Sequence, residues 1–415
     1  MRDRLWAPLS PPRPRPAPRP VKSILRLLPL AAGLAVLSAC QDPAGVGLGL
    51  IDEESPDPAV RALPATEVDA VADTRPLIGV ADSSAALPQT RVLAGDVSDP
   101  VFGDARVTGY LDFTQPSVPD GTEPGDVRSV RLEVQRTYVY GDTTTALPLT
   151  LRQVDAAAGS WSPSLDYPAD TVLAVGPALA TATATVSDDV VAFDLPAAWV
   201  EANAALLVGD PAAFNNDFEG FALEPTRPGG AGAVFGFQAQ TSRTRLRVFT
   251  ASDTLSYPVG EVFSSVQRGP APPAPPGFVA AQAGAGRAVG LRFDLGALGP
   301  VALARAVLRV PIDASVAQDG AFVRPLARRA QLFGVDDATG ERTPIALVAV
   351  EGGVATTLQS EVLRAFLQEG LIGARRFDRF ELVPTPVPAA SLDVLPVLRP
   401  GGAEGPRLSL TVVGG

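Results

Sequence analysis

Past residue 90 the chain is written largely in period two, apolar and polar side chains alternating over short runs. Val130, Leu132 and Val134 alternate with Arg131 and Glu133, and Leu149 and Leu151 flank Thr150. Leu246 and Val248 alternate with Arg245 and Arg247, and Leu291, Phe293 and Leu295 with Arg292 and Asp294. Leu408, Leu410 and Val412 repeat the pattern near the end of the chain. Successive side chains of a strand point to opposite faces, so this alternation predicts strands with one buried and one wet face. Antiparallel sheets packed as a sandwich suit it. Two segments depart from period two. Ala197 to Leu207, carrying Trp199, and Glu361 to Glu369, with Leu363, Phe366 and Leu367 on one face, read as short helices. Gly370 is expected to stop the second.

The pattern also repeats. Tyr110-Leu111-Asp112-Phe113 is followed by Ser129 to Val134, a helix, Phe221-Ala222-Leu223-Glu224-Pro225-Thr226 and an Arg245-Leu246 strand. Arg292-Phe293-Asp294-Leu295, Arg305 to Val310, a helix, Phe380-Glu381-Leu382-Val383-Pro384-Thr385 and Arg407-Leu408 follow in the same order. The fold class expected is therefore all-β with two short helices, as tandem antiparallel β-sandwich (jelly-roll-like) domains. Their expected bounds are 61–263 and 278–415, joined by a proline-rich linker at 264–277 that includes Gly269 to Gly277.

The N-terminus is written differently. Residues 1–39 carry Arg2, Arg4, Arg13, Arg15, Arg19, Lys22 and Arg26 against Asp3, and an apolar run follows Arg26. A basic stretch before a short apolar run is the layout of a secretory signal, and the run falls short of the roughly 20 residues a spanning helix needs. It ends Leu37-Ser38-Ala39-Cys40, which resembles the lipobox of bacterial lipoproteins. That resemblance implies cleavage before Cys40 and a diacylglyceryl group on its sulfur. Val21-Lys22 would make an ordinary beginning for such a signal, so translation is expected to start near residue 21. Residues 40–60, glycine-rich and then acidic from Asp52 to Asp57, read as a flexible tether.

Charge and composition then narrow the function. Removing the net +6 of residues 1–39 from the total of −11 leaves −17 on the remainder, a field that repels phosphate backbones. Nucleic acid is excluded as a partner on that ground. The chain contains no histidine, and Cys40 is its sole cysteine. The usual neutral-pH base, disulfides and thiolate chemistry downstream of the signal are thereby removed. Lys22 is the only lysine and lies in the signal, which closes Ser-Lys chemistry as well.

The remaining candidates are oxygens and aromatic rings. Asp96, Asp99 and Asp104 around Asp99-Pro100-Val101-Phe102-Gly103 could ligate calcium, as could Asp210, Asn215, Asn216 and Asp217; such residues more often hold turns. The adjacent pairs Asp188-Asp189 and Asp336-Asp337 could serve a carboxylate-only glycosidase, although neighbours on a strand face apart. Tyr138, Tyr140 and Trp161 could form a platform for sugar rings, whereas Trp199 among alanines reads as core. No catalytic residue, cofactor or metal site is assigned; the site residue is the lipidation cysteine, Cys40.

Several stretches resemble one family, the lipoproteins catalogued as domain of unknown function 4270. They are Val46-Gly47-Leu48-Gly49-Leu50, Leu93 to Gly103, Tyr138-Val139-Tyr140-Gly141-Asp142, Phe214 to Leu223, Gln282-Ala283-Gly284 with the strand after it, and Arg305 to Val310. Ala94 and the proline linker depart from the family's pattern. The resemblance implies an envelope or surface location and no established activity. A looser similarity links the Phe293 and Val307 strands to jelly-roll modules of secreted carbohydrate-active proteins, and a shared fold licenses no function by itself. The expectation is a non-enzymatic outer-membrane lipoprotein that binds or scaffolds a protein partner. The alternatives are glycan binding and a carboxylate-dependent glycosidase or lyase.

Overall fold

Alternation becomes pairing in the computed structural model, which describes residues 58–72, 78–79, 90–155, 166–167, 170–226, 232–270, 272–273, 275–284, 286–350, 355–385, 390–400 and 404–413. Cys40, the signal, most of the tether and Trp161 lie outside the described residues. Two large antiparallel sheets in a sandwich-like arrangement dominate.

The first sheet runs in spatial order Thr254–Arg268, Arg245–Thr250, Val127–Asp142, Ala233–Gln238, Arg91–Asp99, Gly103–Phe113, Phe221–Pro225, Leu147–Val154 and Val175–Ala184. The second runs Arg342–Ala349, Arg329–Val335, Arg379–Pro384, Arg287–Phe293, Ala59–Ala72, Arg407–Val413, Ala302–Pro311 and Ala355–Gln359, with Phe278–Gln282 and Val394–Leu398 beside it. Each sheet has its own core. Leu111, Leu132, Phe221, Phe235 and Leu246 pack in the first, and Leu291, Leu308, Phe380 and Leu408 in the second. Fully burying one such side chain stabilises the fold by roughly 1.5–3 kcal/mol.

The repeat read from the chain reappears as equivalent pairings. Leu132 faces Leu246 and Phe193 in the first sheet, and Leu308 faces Leu408 and Leu358 in the second. Phe221 faces Leu111, and Phe380 faces Leu291. The last pair moves the expected alignment by two residues, because Leu111 matches Leu291 rather than Phe293.

The N-terminal strand overturns the expected boundaries. Thr254–Arg268 fills the slot between the Arg245 and Gly103 strands of the first sheet. No strand follows Arg407–Val413 among the described residues, and the same slot of the second sheet is filled by Ala59–Ala72. Residues 61–72 thus belong with the second sheet, and the tether, expected to reach residue 60, gives way to strand at Ala59. Only Ala65 and Val68 of this strand are buried, too sparse a pattern to name its partner from the chain. Residues 264–268, expected as linker, are strand paired with Ala105 to Gly109. Ser264 and Ser265 are both buried, and Ser264 accepts the Leu93 N–H. Asp57–Gly415 forms one compact unit.

Three α-helices are present among the described residues, one more than expected. Ala197–Val208 buries Trp199, Val200, Ala204, Leu207 and Val208. Glu361–Leu371 is capped by Ser360, whose hydroxyl accepts the Leu363 N–H, and it runs past the expected stop at Gly370. Gly370 is there for space: a Cβ would come within 2.6 Å of the Phe377 ring. The added helix, Pro211–Asp217, occupies the oxygen-rich segment; Asp210 caps it and proline fits its first turn.

Candidate functional site

The Asp99-Pro100-Val101-Phe102-Gly103 turn sits where the two halves meet. Asp99 Oδ1 accepts the N–H groups of Val101 at 2.7 Å and Phe102 at 3.3 Å, which shapes the turn. Gly103 closes it at φ 83, and a Cβ there would meet the Pro270 carbonyl oxygen at 2.9 Å. Arg324, from the second half, forks onto the Asp99 carboxylate, Nε to Oδ2 at 2.9 Å and a terminal nitrogen to Oδ1 at 3.1 Å. Both side chains are at most 2% exposed. The Tyr140 hydroxyl donates to the same carboxylate, and the Arg324 guanidinium lies 4.4 Å from the Phe322 ring centre. Tyr138 is buried beside it, with Arg91 against its ring, and its hydroxyl accepts the Leu392 N–H at 3.0 Å.

Next to this junction lies a cleft of about 640 Å3. Val101 and Phe102 of the turn and Phe278 and Val279 of the second half give it apolar walls. The end of the N-terminal strand, residues 69–72, and Pro272 also border it. Arg287 and Arg399 enter from the second half. Arg268 stands behind Phe102, donating to its carbonyl oxygen at 3.2 Å and to the Gln282 side-chain oxygen. Its Nε is buried with no acceptor among the described residues. Burial, reinforced by the Arg287 charge, lowers the Arg268 pKa to about 10, and burial lowers that of Arg287.

A second polar group lies at the far end of the first sheet. Asp112 accepts its neighbour's N–H from Phe113 at 2.7 Å, and a bulge in the Thr254 strand between Val259 and Val262 brings Glu261 near it. Burial, with Glu261 and Glu219 adding like charge, raises the Asp112 carboxyl to about 7. Burial also raises Glu261. The matching register of the second sheet holds Glu67 and Arg292, paired at 3.0 Å. The chain offered no local signal for Asp112 beyond its place in the repeat.

Asp99 is taken by Arg324, and Asp104 accepts the Ser98 hydroxyl at 2.5 Å. Asp96 is buried in the Arg91 strand. Asp210 accepts the Ala212 N–H, and Asn215, Asn216 and Asp217 lie in the helix it caps. Asp188 closes a turn on Thr185, and Asp189 pairs with Arg243. Asp336 accepts the N–H groups of Ala338 and Thr339, while Asp337 pairs with Arg292 and Arg379. Tyr138 and Tyr140 form no platform, because both faces of their strand are covered where the halves meet. Trp199 lies in the core and donates its Nε1 proton to Gln153 at 2.8 Å. Residues the chain did not single out, Arg268, Arg287, Arg324 and Arg399, supply the charge of this junction. No protein-family model and no curated protein matches the chain.

Proposed function

We propose that the protein is a lipid-anchored bacterial envelope lipoprotein, held in the outer membrane through Cys40, with a non-enzymatic role in binding or scaffolding a protein partner. The observation carrying the anchor is Leu37-Ser38-Ala39-Cys40 behind a basic and apolar leader, with no other cysteine in the chain. The resemblance to the lipoproteins of domain of unknown function 4270 points the same way. Support for binding over catalysis comes from the carboxylates the chain offered. Asp99, Asp188, Asp189, Asp336 and Asp337 are each engaged in turns or ion pairs. Glycan binding loses the Tyr138–Tyr140 platform, since both rings are buried.

Mass spectrometry of the membrane fraction tests the anchor. It should show an N-terminal diacylglyceryl-cysteine at residue 40, and Cys40→Ala should release the protein from the membrane or leave it unprocessed. A full-length soluble protein with a free thiol would overturn the reading.

One observation favours the rival enzyme: Asp112 holds a carboxyl with a pKa near 7 beside two further carboxylates. A group titrating near neutrality suits general acid work. A polysaccharide hydrolysis screen separates the two readings. Turnover that disappears in Asp112→Asn would replace the binding role with a carboxylate-dependent glycosidase or lyase.

A further inference from the structure

We infer that the cleft between the Asp-Pro-Val-Phe-Gly turn and the Phe278 strand binds a small organic anion with an apolar body, its charge received by Arg287 and Arg399. The inference goes beyond the partner-binding role proposed above and stands independently of it. Three observations carry it.

Volume is the first. About 640 Å3 falls within the roughly 300–1,000 Å3 typical of small-molecule sites, and the cleft joins apolar walls to a few polar groups. The second is unbalanced charge. Among the described residues no carboxylate pairs with Arg268, Arg287 or Arg399, although acids outnumber bases in the chain. Asp69 also borders the cleft beside Glu67, whose pKa it raises, and among the described residues it forms no ion pair with Arg287 or Arg399. The third is the repeat. Leu111 corresponds to Leu291, so Arg287 stands where the first half has the fully buried Val107. The strand position therefore accommodates an apolar residue, and an arginine without an acid partner there answers no need of the fold. A cation at an apolar wall gains most from a charge-assisted hydrogen bond to an incoming carboxylate.

A second cleft, of about 490 Å3 beside Gly370, provides the contrast. Its arginines are already balanced: Arg375 pairs with Glu369 at 2.8 Å, and Arg376 faces Asp336 at 3.8 Å.

Isothermal calorimetry on the full chain in non-ionic detergent tests the inference. The probes are naphthalene-2-carboxylate and octanoate, which separate an aromatic from an acyl body, with neutral 2-acetylnaphthalene as control. At least one carboxylate should bind saturably and one-to-one, and the neutral probe should not. Arg287→Leu should weaken that binding roughly tenfold or more, the scale of one lost charged hydrogen bond. Ala280→Trp, which fills the cleft, should abolish it. Arg399→Leu repeats the charge test should Arg287→Leu fail to fold, and circular dichroism checks each variant. No saturable binding, equal binding of the neutral probe, or affinity unchanged in the folded variants would overturn the site. Cys40 lipidation is read separately, so an empty cleft on a lipidated protein refutes the ligand and leaves the anchor.

Discussion

Replacing Arg324 by Met should destabilise the folded chain by about 3–5 kcal/mol, a large share of the 5–15 kcal/mol typical of a folded protein. Asp99 and Arg324 are both buried and bound to each other through two nitrogen–oxygen contacts. Removing the guanidinium leaves a carboxylate away from water with two turn N–H groups and the Tyr140 hydroxyl as its remaining donors. Those donors cannot replace the lost charge. Arg324→Met combined with Asp99→Asn should recover much of the loss, because the amide oxygen can still accept from Val101 and Phe102 with no charge left unpaired. Urea titration of the wild type and the single and double variants checks the ordering. Hydrogen exchange at Val101 and Phe102 should quicken most in the single variant. Equal midpoints for wild type and Arg324→Met would mean the pair does not hold the junction.

How the two halves meet was the part least visible in the chain. Period two located the strands well: Val130, Leu132 and Val134 are buried as their alternation required, and the repeat recovered the roles of Leu246 and Leu408. Periodicity tells which face of a strand is buried and is silent about which strand lies beside it. The place of Ala59–Ala72 shows the difference. Among the described residues, no strand after Arg407–Val413 takes the slot that Thr254–Arg268 fills in the first sheet. Counting strands per repeat, rather than matching motifs, would have sought a filler elsewhere. Tyr138 and Tyr140 illustrate the opposite failure. A tyrosine before a Gly-Asp turn looks exposed until distant chain covers it, and that cover comes from Leu392 and Phe322, far along the chain. The arginines of the cleft were invisible for a related reason. An arginine is ordinary until the three-dimensional arrangement leaves it without an acid, and that depends on contacts 14 or more residues apart, such as Arg268 with Gln282.

Asp112→Asn should stabilise the protein at pH 8 and leave it nearly unchanged at pH 4, with the gain growing across the interval. The folded carboxyl titrates at about 7 and the ordinary value is 3.8. Between those values the unfolded chain has released the proton while the folded chain still holds it. More protons bound in the folded state mean that stability falls as pH rises through this window and levels off above about 7. The whole fall across the window amounts to roughly 4 kcal/mol at most. Asparagine has no proton to lose, keeps an oxygen for the Phe113 N–H, and so removes the slope. The repeat explains why the penalty is there: the second sheet meets Glu67 with Arg292, whereas the first meets Glu261 with another acid. Glu261, also raised by burial, leaves a smaller slope of the same sign in the variant. Urea midpoints of both proteins at pH 5 and pH 8 decide the matter. An equal difference at the two pH values would show that Asp112 is ionised in the folded state throughout, and would also withdraw the one observation favouring a catalytic carboxyl.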